Sequence, residues 1–338
     1  MEQSSKTLTF VVPAYNMETY LERCVESLLS ATDNSDIEVL IVDDGSSDGT
    51  PELADMYERR WPGNVRAIHQ VNKGHGGAVN TGIANATGMY VKVVDADDWV
   101  DMPSIDTLMG TLRVQRVATD PVDMIVTNYV YDKVGKRVKH TVNFRHAMAA
   151  NTVLGWDDLG CFGVAALIYR TQVVRDSGMQ LPEHTFYVDF IYAYQPFPWV
   201  KSMLYMDIPF YHYFIGREGQ SVQTDVMIRR VAQLRLVNQR MVEATPEPGT
   251  VPDGLYRYMI HFLAIESSVT SVFLILSKDK ANYRLKDELW ADIDKASPAI
   301  GRDVRRKLVS RALNLRGSVG RWVIRRGYVV AEKVVGFN

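Results

Sequence analysis

Val93-Val94-Asp95-Ala96-Asp97-Asp98-Trp99 is the stretch whose reading decides the fold. A β-branched run delivers three carboxylates into four positions, where a buried strand would end. Carboxylates this close repel one another unless a cation sits among them. An all-oxygen ligand set of this kind suits Mg²⁺ or Mn²⁺. Upstream, Leu40-Ile41-Val42-Asp43-Asp44-Gly45-Ser46 is a second apolar run that ends in acids. Two acidic strand tips in one α/β pattern point to a nucleotide diphosphate site.

Working outward, Leu8 to Val12 reads as a first strand ended by Pro13, and Met17 to Ser30 carries apolar residues at helical spacing. Ile37 to Val42 is the second strand. Ser47-Asp48-Gly49-Thr50-Pro51 starts a helix that runs to Arg60. Val65 to His69, a glycine-rich turn at Gly74 to Gly77, a helix through Ala86 and the strand Tyr90 to Val94 complete the rhythm. Strand and helix alternating at this spacing predict an α/β fold whose parallel strands are joined by right-handed crossovers. Ligands then collect at the carboxyl ends of the strands.

After Asp101 the pattern becomes mixed. A helix over 104–117, a strand over 123–129, a hairpin turn at Lys133 to Lys136 and a strand over 163–169 are expected. So are a short helix capped by Thr171, a helix over 186–194 and two short strands around Pro209. From Met227 onward the pattern is helical, interrupted by a Pro/Gly-rich linker over 245–254. The apolar run Tyr258 to Leu276 holds His261, Glu266 and three serines, so it reads as a buried helix rather than a membrane span.

Apolar content of 46% and charged content of 23% are those of a soluble globular protein, and 338 residues suffice for a large domain with an appendage. A net charge of −2 argues against whole-surface nucleic-acid binding, and no nucleic-acid partner is expected. The average conceals a basic tail, since 302–338 contains ten Lys/Arg against two acids. Cys24 and Cys161 read as buried thiols in a reducing cytosol. No apolar signal core precedes Leu8.

Each polar motif has a bland reading beside a functional one. Asp43-Asp44-Gly45-Ser46 is either an acidic turn or a contact for a pyrimidine N3–H or a ribose hydroxyl. Tyr15 is either a core tyrosine or a platform on which a base stacks, for a gain of about 1–3 kcal/mol. Gly74-His75-Gly76-Gly77 either caps a helix or lets backbone N–H groups approach a phosphate. Asp189 is a single acid in the aromatic setting Phe186-Tyr187-Val188-Asp189-Phe190. It is either a paired carboxylate or a desolvated general base. Gly216 to Ser221 is either a surface turn or a loop that closes over a pyrophosphate.

Taken together, the segments resemble glycosyltransferase family 2, inverting enzymes with a GT-A fold, and in particular a Gram-positive cell-surface polysaccharide and glycolipid subset. The resemblance rests on Val12-Pro13-Ala14-Tyr15-Asn16, on Val42 to Ser46 continued by Ser47-Asp48-Gly49-Thr50, on Asn72-Lys73-Gly74 with Ala78-Val79-Asn80, and on the Asp95 to Asp98 cluster. It is dense over 8–102 and looser to about 225. It implies a Rossmann-like, mixed but mainly parallel sheet flanked by helices, with a C-terminal helical extension. It also implies that Pro13, Tyr15, Asp44 and Asp95 bind the nucleotide and that Lys73, Gly74, His75, Arg217 and Ser221 serve the phosphates and donor sugar. Asp97 would hold Mg²⁺ or Mn²⁺, with Asp98 and His212 as further candidate ligands, and Asp189 would be the general base. Two positions depart from the family pattern. Val79 replaces a common Arg, whose charge Lys73, His75, Lys92 or Arg217 would have to supply. Val188 replaces a common Glu, for which Glu183 is a candidate substitute.

The expected organisation is a catalytic domain over 1–225, with a nucleotide-sugar half over 1–102 and an acceptor half over 103–225. A helical region over 226–338 comes next, ending in the basic amphipathic tail 302–338. The expected activity is metal-assisted transfer from a UDP-sugar to a hydroxyl of a glycan or lipid-linked acceptor. A non-catalytic nucleotide-sugar or glycan-binding protein and a sugar-1-phosphate nucleotidyltransferase are the alternatives. The chain is expected in the cytoplasm, and its basic tail is either a solvated face packed back on the catalytic domain or a peripheral attachment to the anionic inner face of the plasma membrane.

Overall fold

The structure, a computed structural model, describes residues 6–133, 139–144, 153, 154, 156, 162–215, 223–314 and 317–335. It divides into two compact units, one formed by Met1–Gly155 with Phe162–Ile215 and the other by Trp156–Cys161 with Gly216–Asn338.

The first unit is built on a mixed, mainly parallel sheet. Its strands are β1 (Leu8–Ala14), β2 (Ile37–Asp43), β3 (Val65–His69), β4 (Tyr90–Val93), β5 (Trp99–Val100), β6 (Met124–Lys133), β7 (His140–Val142), β8 (Val153–Leu154), β9 (Leu167–Arg170) and β10 (Met203–Ile215). The order is β3-β2-β1-β4-β9-β6-β10-β5, with β7 on β6 and β8 on β10. The first four in that order are parallel, β9 runs against β4 and β6, and β10 is parallel to β6. Helices α1 (Glu18–Leu28), α2 (Thr50–Arg60), α3 (Gly74–Asn85) and α4 (Met102–Val117) cross between strands. The short α5 (Thr171–Asp176) and α6 (Asp189–Tyr192) come after β9. Strands β1, β2 and β4 are buried along their whole length, so they read as mostly apolar runs, broken by the buried Thr9, Glu38 and Lys92.

Several local expectations are corrected. Pro13 does not end β1 but lies buried inside it, opposite Val42. Its missing N–H faces the β4 side, where pairing with β1 stops at Val93, so no ladder bond is lost there. The two strands expected around Pro209 are one long strand, with a register break at Pro209 in its pairing to β6. Only 189–192 of the expected 186–194 helix is helical, because Tyr187 sits in the left-handed region at φ +66°. Thr171 starts α5 without capping it, and its hydroxyl donates to the Gly88 carbonyl at 2.7 Å. The strand expected from Gly163 begins at Leu167, after a 3₁₀ turn over Val164–Ala166. Cys24 is buried as expected, while Cys161 and the Val134 to Lys136 turn lie outside the described residues.

The second unit is helical: α7 (Thr224–Arg229), α8 (Val231–Ala244), α9 (Asp253–Leu276), α10 (Lys280–Ala296), α11 (Pro298–Arg306), α12 (Leu308–Leu313) and α13 (Gly317–Val335). By length and composition α9 could cross a membrane, but 72% of its apolar window is buried inside the structure. Two of its hydroxyls are used within the bundle. Ser267 accepts from Asn238 of α8 at 2.8 Å, and Ser271 accepts from the Trp290 indole of α10 at 3.0 Å.

Candidate active site

The acidic strand tips meet at one end of the sheet because β1, β2 and β4 are parallel neighbours. The tips of β1 and β2 are stitched together. The Asn16 N–H donates to Ser46 Oγ at 2.9 Å, and the Ser47 N–H donates to Asn16 Oδ1 at 2.8 Å. Asn16 adopts φ +53°, a conformation that asparagine tolerates well. Beside it, Tyr15 is 49% exposed, so its ring is a surface platform and not a core tyrosine.

Asp44 is buried, and its Oδ1 accepts from Gln70 Nε2 at 2.6 Å and from the Lys73 N–H at 2.8 Å. One oxygen, Oδ1, therefore fixes the loop into α3. Its neighbour Asp43 accepts from the Ser46 N–H at 3.1 Å and meets His69 Nδ1 at 3.0 Å. The other nitrogen of His69 lies 3.1 Å from Asp55. The hydrogen bond to Asp43 leads the contributions that lift the His69 pKa above its ordinary value, against the opposing effect of burial.

The 95–98 loop is held from beneath and from the side. Asp98 is buried, its Oδ2 accepts from the Tyr211 hydroxyl and its Oδ1 accepts from the Phe214 N–H at 2.8 Å. The same Tyr211 oxygen lies 3.3 Å from the Asp95 N–H. Arg23 of α1 donates to the Asp97 carbonyl at 2.9 Å, and its guanidinium lies 3.7 Å from the Trp99 ring centre and 4.9 Å from that of Phe214. Ligand oxygens of Asp95, Asp97 and Asp98 come within 4.8 Å of one another. Burial first, then the charges of Asp97 and Asp95, push the Asp98 pKa well up.

Asp95 Oδ1 lies 2.8 Å from His75 Nε2. Burial alone would lower the His75 pKa, but the Asp95 charge and hydrogen bond, with Asp189 and Asp97 behind them, outweigh it and raise it. Asp189, the first residue of α6, is half-buried. Burial pushes its pKa up to about 6, with His75 pulling down and Asp95 pushing up.

The glycines before α3 have a packing reason. A Cβ on Gly74, which has φ +74°, would lie 2.8 Å from the backbone of His184, and one on Gly76 would lie 2.6 Å from the Pro182 carbonyl. The His184 N–H donates to the Lys73 carbonyl at 2.8 Å. The Asn80 amide grips Leu181 on both sides, donating to its carbonyl at 2.9 Å and accepting from its N–H at 3.0 Å. The glycine cluster thus seats the 181–184 segment, which leads into Asp189, against the start of α3.

Other candidates are placed differently. His212 does not join the Asp95, Asp97 and Asp98 group. It stacks on Trp99 with ring centres 5.2 Å apart, and Asp132 and Asp101 stand 3.6 and 3.9 Å from its nitrogens. Lys92 cannot supply a phosphate contact. It is fully buried, and its ammonium donates to the carbonyls of Ala165 at 2.8 Å and Leu167 at 3.2 Å. Lys73 stands 3.6 Å from Glu183, and both are about half exposed. Arg217 and Ser221 lie outside the described residues. Sequence reasoning missed Arg23, Gln70 and the Asn80 clasp. Asn80 was legible only as a motif member, and nothing in the α1 pattern marks Arg23.

Residues 9–175 match the model of Glycosyl transferase family 2. The chain is 28% identical over 227 residues to the putative glycosyltransferase EpsH of Bacillus subtilis, a match that takes in 62% of the chain and 60% of EpsH. Its fold superposes on residues 1–349 of S. aureus TarS, solved with UDP-GlcNAc, with a TM-score of 0.68 at 18% identity, covering 96% of the chain and 92% of TarS 1–349. It also superposes on the Pyrobaculum calidifontis mannosyltransferase PcManGT, solved with GDP-Man and Mn²⁺, with a TM-score of 0.54 at 17% identity, covering 97% of the chain and 86% of the enzyme. The sheet is thus a GT-A-like sheet, like that of TarS, with helices on its flanks, and residues 9–175 are a glycosyltransferase family 2 domain.

Proposed function

We propose that the protein is an inverting glycosyltransferase that moves a sugar from a UDP-sugar to a hydroxyl of a glycan or lipid-linked acceptor in cell-surface polysaccharide or glycolipid synthesis. The observation that carries this reading is the convergence of Asp44, the 95–98 acids and Asp189 around the tips of β1, β2 and β4. The UDP-GlcNAc bound to TarS supports a UDP-sugar donor. In this reading Tyr15 stacks on the uracil, Asp44 Oδ2 accepts from it, and Asp95 faces the ribose side.

The donor set fits a hard divalent cation. Ligand oxygens of three carboxylates lie within 4.8 Å of one another, close enough to share one ion, and burial together with the charges of Asp97 and Asp95 raises the Asp98 pKa. Asp97 and Asp95 would hold Mg²⁺ or Mn²⁺, with Asp98 as support, because both its oxygens already accept hydrogen bonds. When bound, the ion would neutralise charge growing on the leaving diphosphate. Asp189 takes the proton from the acceptor hydroxyl. The hydroxyl oxygen then bonds to the anomeric carbon from the face opposite the nucleotide, the bond from that carbon to the diphosphate oxygen breaks, and UDP departs. His75 keeps Asp189 ionised more readily and holds Asp95 in place.

The membrane reading rests on α13, which buries Ile324 and exposes Val319, Trp322, Val323 and Val329 beside Arg326. Such a face suits an anionic lipid surface on the cytoplasmic side.

The donor reading is tested by Asp97→Ala in calorimetry with UDP and Mn²⁺. Metal-dependent UDP affinity should disappear. Unchanged affinity would remove Asp97 from the site.

A further inference from the structure

The helical unit contains a cavity of about 710 Å³ among α9 to α13. That volume lies within the range of small-molecule sites, roughly 300–1,000 Å³. Among the described residues its wall carries Lys286, Arg305, Arg311 and Arg321 against one carboxylate, Asp287. The Asp287 side chain is 83% exposed and stands 3.9 Å from Lys286, while Lys286 itself is mostly buried. Arg305 is already neutralised, since its guanidinium holds both oxygens of Asp294. The uncompensated charge therefore belongs chiefly to Arg311 and Arg321. Among the described residues Arg311 makes no ion pair. Arg321 is held on the Tyr283 ring, 4.8 Å from its centre. A stacked guanidinium keeps its fork of donors free and costs little to order on binding. Ser310, fully buried in the same wall, has a hydroxyl with no hydrogen-bond partner among the described residues.

We infer that this cavity binds a phosphate-bearing ligand. Several cations converge on one space, and an oxyanion with more than one acceptor oxygen satisfies forked donors better than a halide does. The site belongs to the helical unit and is independent of the donor reading above. Two sources share this chemistry, a soluble phosphate group and an anionic lipid headgroup.

The full chain is titrated with sodium phosphate against sodium chloride at equal ionic strength, read by calorimetry and thermal melting. Vesicles of phosphatidylglycerol in phosphatidylcholine are compared by sedimentation with phosphatidylcholine alone. The wild type should bind phosphate saturably. Arg311→Gln with Arg321→Gln should weaken it at least tenfold. Arg311→Gln alone, an exposed change that leaves packing intact, should weaken it in part. Arg302→Gln, a change of equal charge on α11 where the exposed side chain stands beside Asp303 outside the cavity, should leave it unaltered. Vesicle binding that falls with the Arg311 and Arg321 changes assigns the site to a headgroup. Phosphate binding without vesicle binding assigns it to a soluble ligand. A phosphate response equal in all variants, or none in the wild type, overturns the inference.

Discussion

The sharpest consequence of the site concerns the ionisation of Asp189. Its carboxyl stands at about 6 instead of the ordinary 3.8, because burial disfavours the charged form. A general base works only when ionised, and the profile of kcat/KM reports the free enzyme. With a pKa near 6, roughly nine tenths of the enzyme is competent at pH 7 and roughly one tenth at pH 5, so kcat/KM should fall about tenfold across that window. An aspartate at 3.8 would keep the profile nearly flat down to pH 5. The direction is fixed by the charge: activity is lost as pH falls. Asp189→Asn should cost roughly 10²- to 10⁴-fold in turnover and leave no acid limb near 6 in what remains. The assay is release of UDP from a donor panel in overlapping buffers of constant ionic strength, with UDP affinity measured alongside. A flat profile from pH 7 to 5, or an Asp189→Asn variant that keeps near-normal transfer, would show that the proton goes elsewhere.

Neighbouring contacts set three further outcomes. His75 pulls the Asp189 pKa down, so His75→Gln should move the acid limb of the same profile to higher pH; a limb that stays put would uncouple the two groups. Asn80→Ala strips the partner from both backbone groups of buried Leu181, at about 1–3 kcal/mol for each group left unsatisfied. It should lower kcat more than it changes UDP affinity, and equal losses in both would make the clasp a matter of stability alone. Gly82→Ala would place a Cβ 2.1 Å from Val11 Cγ1 and 3.1 Å from Val11 Cβ, which side-chain rotation does not move. The helix gain of about 1 kcal/mol should then lose to overpacking of about 1–3 kcal/mol, lowering the melting temperature by a few degrees; an unchanged or higher value would mean that β1 and α3 separate freely.

The parallel half of the sheet was legible because β1, β2 and β4 are buried on both faces, and such strands leave mostly apolar runs that end in polar tips, even with Thr9, Glu38 and Lys92 inside them. The candidate acids were legible for the same reason, since each sits at the end of such a run. The chain beyond β5 was harder to read. β10 carries a register break at Pro209, and a proline inside an apolar run looks in sequence like the end of a strand. The segment before Asp189 hides its shape because φ is positive at His184 and Tyr187, residues whose types give no notice of it. Gly74, Gly76 and Asn80 of α3, about a hundred residues earlier in the chain, grip the segment over Leu181 to His184. No local pattern records a contact of that separation.

The contacts missed in the sequence bear on how such a site does chemistry. Three like charges on one loop would spread apart if the loop were slack, and each would draw in its own water. Here the backbone is pinned at Asp97 by Arg23 and at Asp95 by Tyr211, while Asp98 is tied to Tyr211 and Phe214. The pins come from α1 and β10, on opposite sides of the loop in sequence, so local fluctuation of one element does not release the others. Arg23 is itself confined between Trp99 and Phe214, and a cation held on aromatic faces keeps its geometry while placing positive charge beneath the loop. The repulsion among the acids is therefore met at folding, by packing already in place. Charge that develops on a departing diphosphate would meet groups that need not reorganise, which is the condition under which fixed dipoles and charges lower a barrier most.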